Sequence, residues 1–366
     1  MLSCIRVCLS CRLAKCVYFT LVLSCTLFVF LVAYTLSKGS KTFHNISTSD
    51  LQLQRKQSLI SLDIVTTTIF PDKDKIGIYT SENIKTFTKL LLTNGDICAE
   101  KRIDIIIYIQ SHWINVERRR SLRETWIGAK SITDIIIKSF FILGKPSNRT
   151  DQVKINNENL IHRDIVQGDF IDSFQNLTLK SIIALEWIYT HCRQAEFVLK
   201  ADDDIFVDIF KVVNNLLPQL KNKRRNIVCS VKEDNTSPIV RDNGSKWYIP
   251  EHIFPKRTHL PRFCTGYFVV MTSDLVPELA HASVGAIYIP VDDVYLFGLL
   301  AQTLSNVTYT DISTSMTVYD NVALDVFSKG KDSHLIAGGA GKEDYMAKIW
   351  MEILLTQNQE KHQVLL

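Results

Sequence analysis

The chain has 366 residues, 46% of them hydrophobic and 22% charged, a globular balance whose length suits one large catalytic domain with accessory sequence, or two small domains. Its formal net charge of +4 is too small over this length to argue for nucleic acid, and no dense Lys/Arg block with interleaved aromatics occurs, so DNA and RNA are set aside as partners.

Five of the nine cysteines (Cys4, Cys8, Cys11, Cys16 and Cys25) crowd the N-terminus. They include no histidine and no paired C-x-x-C set, so zinc is disfavoured. A membrane-adjacent cluster fits reversible S-acylation; incidental reduced cysteines are the alternative. Val17 to Leu36 follow as twenty residues without a charge. At about 1.5 Å per residue, such a helix spans a hydrocarbon core of about 30 Å. Arg6, Arg12 and Lys15 precede the run, and this positive excess predicts a cytosolic tail over 1–16, a signal-anchor over 17–36 and a luminal remainder. A cleaved signal peptide is the alternative, but the run exceeds the usual length of about 7–15 residues, and no small-x-small site follows it. Six N-x-Ser/Thr sequons, at Asn45, Asn148, Asn176, Asn235, Asn243 and Asn306, agree with a luminal remainder; Pro238 weakens Asn235.

Residues 37–98, rich in Ser, Thr, Lys and Asn, read as a stem, although their apolar patches could also pack on the domain that follows. From residue 99 the pattern changes. Ile103 to Gln110 and Asp134 to Gly144 are β-branched runs of strand length, and Leu177 to Cys192 carries apolar residues at helical spacing. Glu196 to Ala201 reads as a short buried strand, and Ile205 to Leu217 as a helix closed by Pro218. Asn226 to Val231 and Tyr267 to Thr272 read as strands; Ser273 to Ala282 and Asp292 to Leu304 read as helices. Strands alternating with helices predict an α/β domain over 99–366 with a mostly parallel sheet flanked by helices, and ligands beyond the carboxyl ends of its strands. Cys98, Cys192, Cys229 and Cys264 allow up to two disulfides in three pairings.

Asp202, Asp203 and Asp204 follow the strand Glu196 to Ala201 directly, at that rim. Three adjacent carboxylates repel one another where water screens poorly, which calls for a compensating cation, and hard oxygen ligands suit Mg²⁺ or Mn²⁺. In extended chain Asp202 and Asp204 point to one side together. The alternative is a solvated acidic turn with Asp204 as N-cap of the next helix. A calcium loop of the EF-hand type fails, because Val207 and Val213 stand where it needs Gly and Glu. A second acidic pair, Asp292 and Asp293, stands at a helix start after Pro290. Dipole stabilisation explains one of them; the functional reading is a general base for an acceptor hydroxyl.

Taken together, these segments resemble the β-1,3-galactosyltransferase and β-1,3-N-acetylglucosaminyltransferase family, a metal-dependent inverting group of the GT-A fold. The likeness runs in order through RRSLRETW (Arg119 to Trp126), FILG (Phe141 to Gly144), DIVQGDFIDSFQNLTLK (Asp164 to Lys180) and FVLKADDDIFV (Phe197 to Val207). KWYIP (Lys246 to Pro250), FCTGY (Phe263 to Tyr267) and VDDVYLFG (Val291 to Gly298) complete it. The resemblance implies that Asp202 and Asp204 are the donor and metal carboxylates with Asp203 between them, holding Mn²⁺ or Mg²⁺. It implies that one of Asp292 and Asp293, with Asp293 favoured, is the base. It places Arg119 and Arg123 near the nucleotide, with anchoring of the first helix as the alternative. Lys246, Trp247 and Tyr248 match a loop lining the sugar and acceptor region, where Trp247 either stacks on a sugar or packs. The implied reaction takes UDP-galactose or UDP-N-acetylglucosamine to a glycan hydroxyl, in the Golgi lumen, from a single-pass type II anchor. Two departures stand out. Tyr267 and Phe268 replace a glycine-rich run, and Gly339 stands about where the family carries a histidine near the metal, with His334 the nearest one. A catalytically inactive paralogue, acting as partner or chaperone of an active transferase, is the competing expectation.

Overall fold

In the computed structural model, which describes residues 89–129, 134–342 and 344–364, strands and helices alternate from Leu90 onward. The first half runs β1 (Leu90–Leu92), β2 (Ile103–Gln110), α1 (Val116–Glu124), β3 (Ile137–Lys145), α2 (Arg149–His162), β4 (Ile165–Ile171), α3 (Leu177–His191) and β5 (Ala195–Asp202). Next come β6 (Ile205–Val207) and α4, which joins Ile209–Lys211, a π-wound Val212–Leu216 and Leu217–Leu220 without a break. The strands β7 (Asn226–Cys229), β8 (Val231–Lys232), β9 (Phe263–Cys264) and β10 (Phe268–Thr272) lead to α5 (Leu275–Ala282). Helix α6 again has a π-wound centre, joining Asp292–Val294, Tyr295–Leu300 and Ala301–Thr303. The chain continues through β11 (Thr308–Asp311), β12 (Met316–Thr317), α7 (Asp320–Phe327), β13 (Ala337–Gly339) and α8 (Tyr345–Val364).

Eight strands form the main sheet in the order β1-β4-β3-β2-β5-β10-β7-β11. Strands β4, β3, β2 and β5 are parallel, and β11 is parallel to β7. Both faces of β2 are covered, which is why its eight residues are buried without polar alternation. Ile106 and Tyr108 face a cluster built with α3, α5 and α6, while Ile105, Ile107 and Ile109 face one built with α4, α7 and α8. Each such aliphatic side chain removed from water contributes about 1.5–3 kcal/mol before chain entropy is set against it.

Three details differ from the sequence expectation. First, β10 runs antiparallel to both neighbours, β5 and β7. The chain leaves β7 for a long excursion that closes through the antiparallel β8–β9 pair, so it re-enters the sheet from the rim where β5 ends, and Phe268 pairs with Ala201. Entry from that rim needs no crossover helix.

Second, Ile205–Val207 is a strand, not the start of a helix. It pairs antiparallel with β13 in a small sheet of order β12-β13-β6. The helix begins after Asp208, whose side chain accepts from the Lys211 N–H, so Asp208 rather than Asp204 is the cap. Pro218 lies inside this helix; the preceding π-turn widens the backbone where proline offers no N–H and crowds the carbonyl four residues back.

Third, the folded domain begins before residue 99. Leu90–Leu92 pairs with β4, the Trp187 indole N–H donates to the Thr93 carbonyl, and Cys98 is bonded to Cys192. This end of the expected stem packs on the domain, the alternative its apolar patches had left open. The cytosolic tail, the expected anchor over 17–36, the rest of the stem and Asn45 lie outside the described residues. Among the described residues no helix is long and apolar enough to cross a membrane.

Of the three cysteine pairings, the structure has Cys98–Cys192 and Cys229–Cys264. Chain-entropy arguments give each closure about 3–5 kcal/mol. The second ties the end of β7 to β9, just below the rim that carries the acidic residues.

Candidate active site

Asp202 ends β5 between the end of β2 and the start of β10. Its N–H donates to the Tyr267 carbonyl (3.2 Å), and the Asp203 N–H donates to the Gln110 carbonyl (3.2 Å). The turn that follows sends the three carboxylates two ways. Asp203 points inward at 5% exposure; its Oδ2 accepts from Ser111 Oγ (2.6 Å) and Asn115 Nδ2 (2.8 Å), and its Oδ1 from Arg118 Nη1 (2.9 Å). Asp202 and Asp204 keep side-chain exposures of 39% and 45%. Asp203 anchors the turn while its neighbours remain open to a ligand.

The triplet also has cations of its own beside it, Arg118 and Lys200, which offset part of its repulsion. Arg118 Nη1 lies 3.3 Å from Asp204 Oδ2 as well as against Asp203. Lys200, one strand alternation before Asp202, is fully buried; its Nζ donates to the Gly266 carbonyl (2.5 Å) and Asp202 Oδ1 (3.1 Å) and lies 3.5 Å from Asp292 Oδ2. Burial opposes the lysine charge, but Asp202 and then Asp292 outweigh it and hold the Lys200 pKa above its ordinary value. Burial pushes the Asp202 carboxyl up to about 6; Lys200 opposes this, while Asp292 and Asp204 add to it. Asp204 is raised too, by burial and then by the Asp203 charge, with Arg118 pulling the other way.

His334 does not complete a metal shell here. It is exposed between Ser333 and Leu335, whose carbonyls accept from Lys211 Nζ on α4. Strand β13 then runs antiparallel to β6 and reaches the triplet only at its far end, where the Ala340 N–H donates to the Asp204 carbonyl (2.8 Å). Gly339 has no room for a side chain, since a Cβ would come within 2.5 Å of the Val318 carbonyl oxygen and 2.6 Å of Asp320 Oδ1. At Gly341 a Cβ would meet the Asp204 Cβ at 3.2 Å, so the glycine leaves Asp204 uncovered. Among the described residues no three His, Cys, Asp or Glu side chains converge closely enough to hold an ion alone. Two open carboxylates do fit a hard divalent cation that keeps waters and shares phosphate oxygens with a ligand. Asp202 and Asp204 would hold it.

The second acidic pair divides its work. Asp292 is buried, and its Oδ2 accepts from Gln110 Nε2 (3.1 Å) and Ser181 Oγ (2.9 Å). These partners lie on β2 and α3, so Asp292 braces the rim rather than capping its own helix. Asp293 is half-buried; its Oδ2 accepts from the Gly266 N–H (3.2 Å) and its Oδ1 from the Val294 N–H (2.8 Å). Burial, then the Asp292 charge, pushes its carboxyl up to about 7 against the pull of Lys200 and the two N–H groups. A carboxylate with that affinity for a proton suits general-base work near neutral pH.

Arg119 and Arg123 are not free to meet a ligand. Arg119 is 0% exposed, and its Nε and Nη2 grip both oxygens of Glu158 (2.8 and 2.7 Å) while its Nη1 donates to the His112 carbonyl (2.7 Å). Arg123 is bidentate on Asp164 (2.8 and 2.9 Å), donates to Glu158 (2.7 Å), and lies 4.8 Å from the Phe141 ring centre. Both lock α1 to the α2 end of the fold, the anchoring alternative. Trp126 is a core residue. The arginine that does reach the acidic turn is Arg118, which the sequence reading passed over. Its signal was the helical spacing from Asn115, three residues earlier, which also holds Asp203.

Lys246, Trp247 and Tyr248 lie on the excursion between β8 and β9. Trp247 is 51% exposed and stands edge-on to Phe174 at 6.3 Å, and Lys246 Nζ lies 4.3 Å from the Trp247 ring centre. Tyr248 is half-buried. Phe174 belongs to the turn after β4, which is tied to the approach to Asp292: Tyr288 Oη donates to the Gln175 carbonyl (2.7 Å) and Thr178 Oγ1 to the Ile289 carbonyl (2.6 Å). An exposed aromatic edge therefore stands on the same rim as the carboxylates. Of the sequon asparagines, Asn148, Asn235, Asn243 and Asn306 are exposed. Asn176 is buried with its Nδ2 donating to the Ile171 carbonyl (2.8 Å), so in the folded domain it is closed to a glycan.

A family model for galactosyltransferases matches residues 117–312, which span the acidic triplet, the excursion and the second acidic pair. Beta-1,3-galactosyltransferase 1 of Homo sapiens is 32% identical over 209 residues, covering 57% of this chain and 63% of that protein, with the Mus musculus protein at the same values. Beta-1,3-galactosyltransferase 5 of Gorilla gorilla gorilla is 28% identical over 249 residues, covering 68% of this chain and 80% of that protein. The chain thus spans less than two thirds of the length of the first of these relatives. Among solved structures, the bifunctional glycosyltransferase WbbM is similar at a TM-score of 0.38 and 10% identity over 69% of this chain and 50% of that one, a likeness too low to bear on the fold. With more than half of its length matched by the family model, the chain belongs to the galactosyltransferase family, and it is similar to beta-1,3-galactosyltransferases.

Proposed function

We propose that the domain is an inverting β-1,3-hexosyltransferase of the GT-A type, moving galactose from UDP-galactose to a hydroxyl of a glycan acceptor, with UDP-N-acetylglucosamine as the competing donor. The observation that carries this reading is the pairing of two open carboxylates, Asp202 and Asp204, with a half-buried carboxylate, Asp293, oriented by the Gly266 and Val294 N–H groups. Asp202 and Asp204 lie where a parallel sheet exposes its strand ends to a ligand. A Mn²⁺ or Mg²⁺ held by them would neutralise charge on the departing diphosphate. Asp293 takes the proton of the acceptor hydroxyl as that oxygen bonds to the anomeric carbon from the face opposite the diphosphate. The bond between the anomeric carbon and the diphosphate oxygen breaks, and the nucleoside diphosphate leaves with its electron pair. Trp247, edge-on to Phe174, offers an apolar face to the acceptor sugar, and Arg118 is placed to meet a diphosphate oxygen if it turns from Asp204. The wider setting we infer is a type II anchor over 17–36 with the domain in the Golgi lumen.

A second reading is favoured by two observations: Arg118 already pairs with Asp204, and neither Gly339 nor Gly341 brings a side chain to the turn. On that reading the chain is a non-catalytic partner or chaperone of an active transferase. The test is a luminal domain incubated with UDP-galactose or UDP-N-acetylglucosamine, Mn²⁺ and simple acceptor glycosides, with the product linkage determined. A β-1,3-linked product supports the transferase; a domain with no turnover on any donor supports the partner.

A further inference from the structure

Within the transferase reading, on which this inference rests, Lys200 has no role, yet it is a fully buried cation set among the rim carboxylates. Its Nζ touches the Gly266 carbonyl at 2.5 Å and Asp202 Oδ1 at 3.1 Å, with Asp292 Oδ2 at 3.5 Å. The other side of the same glycine, its N–H, donates to Asp293 Oδ2 at 3.2 Å. No larger residue fits at 266, since a Cβ would lie 2.8 Å from the Asp293 Cβ and 3.3 Å from Lys200 Nζ. The path from the donor-side carboxylate to the carboxylate that faces the acceptor therefore crosses one ammonium on β5 and one glycine in the turn leading into β10, whose first residue, Phe268, pairs with Ala201.

We infer that Lys200 and Gly266 form a positioning bridge that holds Asp202 and Asp293 in one fixed relation, so that donor and acceptor are aligned by a single rigid unit. Lys200 touches neither substrate in this arrangement; it acts through the carboxylates. An ammonium is suited to the task because its three N–H donors can satisfy the glycine carbonyl and two carboxylates at once. The bridge also explains why this rim has Gly266 two positions before β10: the residue must offer both backbone groups where a side chain would collide. Alignment of this kind governs rate steeply, because small misplacements of reacting groups cost orders of magnitude.

The experiment compares Lys200→Met, Gly266→Ala, Asp293→Asn and the Lys200→Met/Asp293→Asn double variant in the full luminal domain. Folding is checked by melting temperature, UDP affinity by calorimetry with Mn²⁺, and kcat and KM by product formation. Asp293→Asn is expected to lower kcat about a hundredfold with UDP affinity unchanged. Gly266→Ala keeps every charge and is expected to lower kcat at least about tenfold, also with UDP affinity within about threefold. Lys200→Met is expected to lower both UDP affinity and kcat about tenfold, and the double variant is expected to transfer no worse than Asp293→Asn alone, the non-additivity of groups acting as a unit. A Lys200→Met protein that melts earlier but keeps kcat within about threefold per folded molecule would show a purely structural lysine and overturn the bridge. Full additivity in the double variant would overturn it as well. If Lys200→Met does not fold, Gly266→Ala with an unchanged kcat has the same force. A wild-type domain that binds UDP but transfers no sugar removes the transferase reading, and the bridge is then judged by whether Lys200→Met weakens UDP binding. A domain that binds no UDP overturns both.

Discussion

Arg118 Nη1 lies 2.9 Å from Asp203 Oδ1 and 3.3 Å from Asp204 Oδ2, so one guanidinium bridges a carboxylate turned into the fold and a carboxylate turned out of it. Two adjacent residues of one chemical type are thereby given different work, and the difference can be measured. Asp203→Ala leaves Ser111, Asn115 and Arg118 without their common acceptor, and a lost buried charged acceptor is expected to cost about 2–3 kcal/mol in urea unfolding. Asp204→Ala removes a half-exposed group and should change stability by no more than about 0.5 kcal/mol while abolishing Mn²⁺-dependent UDP binding. Equal losses of stability in the two variants would sink the division.

The pH dependence follows from Asp293, whose carboxyl burial pushes up to about 7. As a base it works only when ionised. The value of kcat/KM is therefore expected to rise about tenfold per pH unit below 7 and to level off above it. Stability moves the opposite way. A carboxylate raised from 3.8 to about 7 holds its proton in the folded protein where the unfolded chain has lost it. Its contribution is complete below the unfolded value and is lost as pH rises through 7. A rate profile flat between pH 5.5 and about 8 would remove Asp293 as the base.

Arg119 should behave as a structural residue despite its place in a motif that resembles a nucleotide-binding segment. Its removal leaves the buried Glu158 carboxylate with Arg123 as its one remaining cation, and breaking a buried pair costs about 3–5 kcal/mol. Arg119→Ala is expected to lower the unfolding free energy by that amount, with UDP affinity per folded molecule unchanged. Calorimetric titration of refolded protein checks this, and a selective loss of UDP affinity in a stable variant would count against it.

Trp247 makes the reverse prediction. It is half-exposed, so Trp247→Ala should leave the unfolding midpoint almost unchanged. Loss of a stacking surface for a sugar is expected to raise the acceptor KM about tenfold, with the donor KM within about twofold. Initial rates over a grid of both substrates separate the two constants, and a rise in the donor KM alone would move Trp247 from the acceptor side to the donor side.

Much of the sheet was legible because β2 and β5 are mostly apolar runs of strand length with punctuated ends. The rim position of Asp202 followed from that reading alone. The strand Ile205–Val207 was not legible. Ile-Phe-Val satisfies a helix as well as a strand, and the partner that decides the matter, Ala337–Gly339, is far along the chain. The reversed direction of β10 was hidden for a similar reason, since its apolar residues read the same in either direction. At the site, the carboxylates were visible as charge, but three consecutive arginines could not be told apart by type. Only the wrap of α1 shows that Arg118 faces the acidic turn while Arg119 faces Glu158. The same blindness hid the internal cations: Lys200 reads as one polar residue in an apolar strand, and its three partners come from β5, from the turn leading into β10, and from α6.

The Cys229–Cys264 bond closes the two ends of the segment that carries Trp247, with 35 residues of separation between them. Fastened at its neck in this way, the segment can lengthen, shorten or exchange its sequence without shifting the register of β7 or β10 beneath it. In the transferase we propose, the chemistry of bond making stays with the sheet rim, and the choice of what is presented to it sits on this collar. Such a division would let the collar change in the glycans it recognises at little cost to the folding of the core.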